Sequence, residues 1–164
     1  VMSGDNRRDE RQSFAVRLFG RLLHVYFVLT RSTTLGVRAA CFDRDGRIFL
    51  VRHSYIAGWH MPGGGVERHE TVGQALEKEL REEGNLMISG KPQLFQVYLN
   101  NHSSKRDHVV FYRVEVTQTA PRKPDREIVE SGFFAVDALP PGTTKATYRR
   151  LQELEGAVAP SSYW

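Results

Sequence analysis

A chain of 164 residues, 40% of them apolar and 26% charged, has the size and make-up of one globular domain with a single hydrophobic core. No internal repeat or low-complexity tract argues for a second domain. The net charge of +4 and the pI near 9.4 suit an anionic partner, without choosing among phosphorylated small molecules, RNA and anionic lipid. The one cysteine, Cys41, excludes an internal disulfide; inside the apolar run Val37 to Phe42 it reads as a small buried hydrophobe.

Residues 1–12 are polar, lack an apolar period and are expected to fray. From Ser13 to Leu29 apolar side chains recur at Val16, Phe19, Leu22, Leu23, Tyr26 and Leu29, the spacing of an amphipathic helix, with Arg17 and Arg21 off the stripe. Such a basic helix packs on its own domain, pairs with a second subunit to give a homodimer, or lies on a membrane surface. Val25 to Leu29 could equally begin a strand. The longest apolar run, Leu22 to Leu29, falls well short of the roughly 20 residues a membrane span needs. No small-residue cleavage site follows it, so a cytoplasmic protein is expected. Residues 1–34 are read as a tail plus a basic amphipathic segment, and 35–164 as the main folded domain.

In that domain Leu35–Phe42 and Arg47–Arg52 read as strands joined by the turn Asp43-Arg44-Asp45-Gly46. Trp59-His60-Met61-Pro62-Gly63-Gly64-Gly65 cannot be regular structure. A helix is expected from Val72 to Glu83, with Thr71 and Gln74 forming a capping box. Strands follow at Gln93–Asn100 and at His108–Thr117, where Val110, Tyr112, Val114 and Val116 share a face. A loop spans Thr119–Arg126, a short strand lies near Phe133–Val136, and a last helix covers Lys145–Glu155. The expected class is α+β: an α/β/α sandwich with a mixed β-sheet packed against the central helix and a C-terminal helix.

The chemistry concentrates between Gly63 and Leu86. On a helix, Glu79, Glu82 and Glu83 stand at i, i+3 and i+4, so the carboxylates share one side and repel by about 0.2–0.5 kcal/mol per pair. An ordinary acidic surface would tolerate this through solvent screening. The three also sit in the last turns, where the helix dipole opposes negative charge, so a positive partner is called for. Clustered oxygen ligands suit a hard divalent cation, Mg²⁺ or Mn²⁺. The glycines ahead of the helix let backbone approach a ligand closely.

This stretch resembles the Nudix box, G-x5-E-x7-R-E-U-x-E-E-x-G-U with U a bulky aliphatic residue. Gly64 opens it, Glu70 follows, and Lys78-Glu79-Leu80-Arg81-Glu82-Glu83-Gly84-Asn85-Leu86 closes it; seven of nine specified positions match. The wider resemblance to Nudix hydrolases runs from about Leu35 to Leu154, including the Trp-x-x-Pro-Gly-Gly lead-in, Phe133-Phe134 and Leu139-Pro140. Lys78 stands where the family has arginine and loses the planar fork that grips a carboxylate twice. Asn85 replaces the glycine that ends the helix, and asparagine tolerates that left-handed position well.

The resemblance implies Mg²⁺-dependent hydrolysis of a phosphoanhydride bond in a nucleoside diphosphate linked to another group. Its metal ligands would be Glu79, Glu82, Glu83 and the Gly63 carbonyl. Glu79, Glu82, Lys78 and Glu127 would carry catalysis, with Glu130 a second choice for the glutamate outside the box and Glu70 a structural residue. Trp59, Arg52 and Arg106 are the expected substrate contacts; Tyr55, Tyr98, Tyr112, Lys105 and Arg113 are further aromatic and cationic candidates. His53, His60, His69, His102 and His108 lack zinc-like spacing with cysteine, and no zinc site is assigned. The expected partner is a small phosphorylated nucleotide, not DNA. The competing readings are a catalytically weak sensor of this fold that binds a nucleotide or RNA, and a hydrolase held at a membrane through residues 13–29.

Overall fold

The computed structural model describes residues 19–26, 33–102 and 104–164, in two compact units, 1–33 and Thr34–Trp164. In the first unit residues 19–26 form a helix, α1, that leaves Phe19, Leu22 and Tyr26 exposed. The helix expected over Ser13–Leu29 is described only for that stretch; its remainder lies outside the described residues, as does the tail of residues 1–12.

The second unit runs β1 (Thr34–Phe42), β2 (Ile48–His53), α2 (Val72–Gly84), β3 (Leu86–Ile88), β4 (Gln93–Leu99), β5 (Asp107–Gln118), β6 (Ile128–Phe134) and α3 (Lys145–Leu154). Its sheet has the order β3-β5-β1-β2-β6, with β4 sharing the β3 edge of β5. Among the described strands only β1 and β5 pair in parallel, so the sheet is mixed. Strand alternation divides the core in two. Val37, Ala39, Cys41, Phe49, Val51, Val114 and Val116 face Ala75, Leu76 and Leu80 of α2. On the other face Ala40, Phe42, Ile48, Leu50 and Phe111 pack with Leu151 of α3 and with Trp59, Met61 and Tyr98. Helices on both faces make the α/β/α sandwich. Leu76 and Leu80 are at most 1% exposed, and each contributes about 2 kcal/mol to holding α2 on the sheet.

Two details position the site. Strands β1 and β2 pair only at Phe42 and Ile48, then splay, and the glycine-rich segment fills the gap. Val37 and Ala39 N–H groups donate to the Gly64 and Pro62 carbonyls, while His60 exchanges two hydrogen bonds with Val51. The other is the end of α2. Its start carries the Thr71–Gln74 capping box, and Asn85 caps its end in the left-handed conformation (φ 51°). Gly84 matters for packing, not for conformational freedom: a Cβ there would lie 2.7 Å from the Phe49 ring and from Leu86.

Two elements differ from the sequence reading. Strand β3 was not expected; at three residues it is too short to print a period. Strand β6 begins at Ile128, five residues before Phe133, because main-chain pairing with β2 extends through Glu130, Ser131 and Gly132, which break the apolar pattern between Ile128 and Phe133.

Candidate active site

Three α2 carboxylates occupy graded environments. Glu83 is buried, and its Oε2 accepts the Gly63 N–H at 2.8 Å. Burial pushes its carboxyl up to about 7, against the pull of that N–H and of the Arg38 guanidinium. Glu79 is partly buried and raised, chiefly by desolvation, while Lys78 pulls it down. Glu82 is exposed. Gly64 lies against Glu79, since a Cβ there would stand 2.5 Å from Oε1. Gly63 has φ 143°, and any side chain would overlap the Val37 carbonyl. The Pro62 and Gly64 carbonyls are committed to β1, whereas the Gly63 carbonyl between them accepts no hydrogen bond among the described residues.

Lys78 stands behind this row. Its Nζ lies 3.1 Å from Glu70, 3.3 Å from Glu67 and 3.8 Å from Glu79. One ammonium thus gathers three carboxylates as a point charge, where a guanidinium would grip one of them twice. Glu70 also accepts the Glu67 N–H at one oxygen, 2.9 Å away, which closes the lead-in turn, and Lys78 ties that turn to the helix.

The loop before β6 closes the other side. Glu79, Glu82, Glu83, Arg122, Asp125 and Glu127 line a pocket of about 280 Å³. Arg122 donates from Nε to the Glu82 carbonyl at 2.7 Å and pairs with Asp125. Asp125 in turn accepts the Glu127 and Ile128 N–H groups, each at 2.8 Å. Glu127 therefore sits over the α2 carboxylates, whereas Glu130 is drawn to Arg52 at 2.8 Å.

A second hollow of about 580 Å³ opens between α3 and the β4–β5 turn, lined among others by Arg38, His60, His102, Lys145, Arg149 and Trp164. Arg38 links it to the carboxylates: it bonds the Met61 carbonyl at 2.7 Å, and its charge acts on Glu83 and His53. The expected substrate contacts are arranged differently. Trp59 is only 6% exposed and packs edge-on against Phe134, so its ring is core and offers no stacking surface. Tyr98 is likewise buried, and Tyr112 packs on the α2 side. Arg52 is committed to Glu130, Arg113 lies over Phe42, and Arg106 is exposed in the β4–β5 turn, outside the hollow's lining. Of the aromatic candidates, Tyr55 is exposed, with its ring 5.1 Å from that of His53.

Four groups were missed in the sequence reading: His53, Arg38, Lys145 and Arg149. His53 had a legible signal. Phe49 and Val51 face α2, and His53 continues their alternation toward the same side. Its side chain is buried and reaches Glu83 at 3.5 Å. Burial first, then Arg38, lowers its pKa to about 4, so the ring is neutral at neutral pH. Arg38 was visible as a charge inside an apolar strand. Lys145 and Arg149 read as ordinary helix-surface charges until α3 is placed.

A glycine-rich wedge, a carboxylate helix and an acidic loop on a mixed sheet define one class of protein, and a NUDIX domain family model matches residues 32–154. The chain belongs to the NUDIX family. Among solved structures it is similar to a MutT NUDIX hydrolase from Burkholderia pseudomallei: 28% identity, TM-score 0.63, covering 75% of this chain and 98% of that one. It is also similar to an ADP-ribose pyrophosphatase from Streptococcus suis, with 31% identity, TM-score 0.55, and 81% and 96% coverage. An RNA pyrophosphohydrolase of Xylella fastidiosa is 38% identical over 53 residues, 32% of this chain and 27% of the relative. A second RNA pyrophosphohydrolase, from Halorhodospira halophila, is 48% identical over 42 residues, 26% of this chain and 23% of the relative. The chain thus matches about a quarter of the length of these curated relatives. No helix among the described residues is long and apolar enough to cross a membrane.

Proposed function

We propose that the protein is a Mg²⁺-dependent pyrophosphohydrolase acting on a nucleoside diphosphate linked to a further group. The observation that carries this reading is the juxtaposition of Glu79, Glu82, Glu83 and Glu127 in one pocket, with Arg38, whose charge acts on Glu83, lining a cationic hollow large enough for a nucleotide-sized ligand.

The donor set fits a divalent cation. A buried carboxylate costly to ionise, two more beside it and an unengaged Gly63 carbonyl offer oxygen ligands of the hard type. Glu79, Glu82, Glu83 and the Gly63 carbonyl are the residues to hold it. When bound, the cation neutralises phosphate oxygens and favours deprotonation of water.

The chain's own residues supply the rest. Gly63 fixes the Glu83 carboxylate through its N–H, and Lys78 steadies Glu79. Arg38 and Lys145 give the substrate's charged portion a place to lie, while Arg149 beside them is paired with Glu153. Glu127, exposed at the pocket rim, accepts the proton of the attacking water. The water oxygen bonds to phosphorus as the bridging P–O bond breaks, and the bridging oxygen leaves on the second phosphorylated product. A lone buried cysteine suits the reducing cytoplasm as its compartment.

The test is phosphate release from nucleoside triphosphates, nucleotide sugars, dinucleoside polyphosphates, ADP-ribose and 5′-triphosphorylated RNA, each with and without Mg²⁺. The two RNA pyrophosphohydrolase relatives motivate the last substrate. Mg²⁺-dependent turnover of one class is expected. Silence across the panel from a folded, metal-binding protein would overturn the reading in favour of a nucleotide or RNA sensor.

A further inference from the structure

The metal site just described is built of oxygen ligands, yet a nitrogen is buried beside it. His53 is 6% exposed, its Nδ1 has no hydrogen-bond partner among the described residues, and its Nε2 is held only by a 3.5 Å approach to Glu83. Buried imidazoles are normally fixed by at least one such bond, and an unpaired one asks for an explanation. Its surroundings give one. Glu83 spends Oε2 on the Gly63 N–H, and its Oε1 lies 3.5 Å from His53 Nε2. Two ligand atoms held by one cation at about 2.1 Å each stand roughly 3.0–3.5 Å apart.

Three separate elements bring the donors together. His53 ends β2 where the register with β6 shifts, Glu83 rises from α2, and Glu127 precedes β6. The Ser54 N–H donates to the Glu127 carbonyl at 2.9 Å, which fastens the end of β2 to that loop. One ligand atom from each of His53, Glu83 and Glu127 lies within 4.8 Å of the other two.

We propose that His53 is a nitrogen ligand that completes, with Glu83, a site for a first-row transition-metal dication such as Mn²⁺, beneath the Glu127 carboxylate that serves as base. The proposal rests on the pyrophosphohydrolase reading only in placing this metal beside the substrate phosphates. Imidazole adds affinity for such ions and little for Mg²⁺, which takes oxygen ligands almost exclusively. The centre therefore discriminates between the two cations through His53, while the remaining carboxylates serve either.

The test uses the whole protein loaded with Mn²⁺ alone. Electron spin-echo modulation of the bound Mn²⁺ is expected to show nitrogen coupling, converted to the ¹⁵N pattern when histidine is labelled with ¹⁵N in the ring. His53→Gln should abolish the coupling and weaken Mn²⁺ binding at least tenfold by calorimetry, while Mg²⁺ binding changes less than threefold. His60→Gln, six ångströms away by ring centroid, should leave the coupling in place. Wild-type protein that binds Mn²⁺ without nitrogen coupling overturns the proposal, and so does coupling that survives in His53→Gln. Neither result depends on turnover. Coupling present with no hydrolysis of any substrate would instead sink the hydrolase reading and keep His53 as a ligand.

Discussion

Glu83 is the residue where structure and chemistry pull hardest against each other. Burial holds its carboxyl at about 7, whereas an unfolded glutamate titrates near 4.5. Between those values the native state keeps a proton that the unfolded chain has released, so without a cation stability falls as pH rises through that window. Glu83→Gln keeps an acceptor for the Gly63 N–H and removes the charge. In EDTA at pH 8 the variant should melt several degrees above wild type, a gain of up to about 3 kcal/mol, and the difference should vanish at pH 4.5. Its Mg²⁺-dependent turnover should drop roughly 100-fold or more. Turnover within about twofold of wild type would remove Glu83 from the site.

At the scale of elements, the loop between β5 and β6 carries Glu127 and has no regular structure of its own. Its shape comes from a relay: the last turn of α2 offers the Glu82 carbonyl to Arg122, Arg122 holds Asp125, and Asp125 holds the main chain of Glu127. The Arg122 guanidinium, with those N–H groups, keeps the Asp125 carboxyl down at about 2, so the relay stays charged across any ordinary assay range. Arg122→Ala should lower kcat by about 10- to 100-fold with little change in Tm, as expected for loss of a group that positions another. Combined with Glu127→Gln it should do no further harm. Additive losses in the double variant would mean that Arg122 acts by another route.

Across the whole molecule, the α3 face is closed by a polar cluster buried in an otherwise apolar layer. Arg150 is fully buried, pairs with Glu153 at 2.6 Å, donates to the Tyr163 carbonyl at 3.1 Å and lies over the Tyr98 ring. Tyr98 in turn donates to Glu153 at 2.7 Å. The segment ending at Trp164 is fastened to β4 through Leu99, and Trp164 lines the cationic hollow. Removing Arg150 takes away the buried partner of Glu153 but leaves the half-exposed Arg149, whose Nε lies 3.2 Å from the same oxygen, so Arg150→Met should cost about 3 kcal/mol in urea unfolding, the low end for a broken buried pair. Arg150→Met with Glu153→Leu should recover most of that loss. A single-variant cost below 1 kcal/mol would mean that solvent reaches Glu153 once Arg150 is gone.

Much of this was written locally. The capping box at Thr71, the left-handed cap at Asn85, the Asp43–Gly46 turn and the i, i+3, i+4 carboxylates depend on neighbours within a few residues, and one sequence determines them. So does the two-sided alternation of β1 and β5, which calls for layers on both faces. What needed the tertiary structure is whatever depends on residues far apart in the chain. Trp59 looks like a stacking surface until Phe134 is brought against it, and Arg52 looks free until strand pairing supplies Glu130. His53, Glu83 and Glu127 come from separate elements, and no local spacing could announce that their donor atoms meet. Local hydrogen bonding and periodicity fix the elements; the sheet's pairing and register decide which side chains share a pocket, because only there do distant parts of the chain exclude water together.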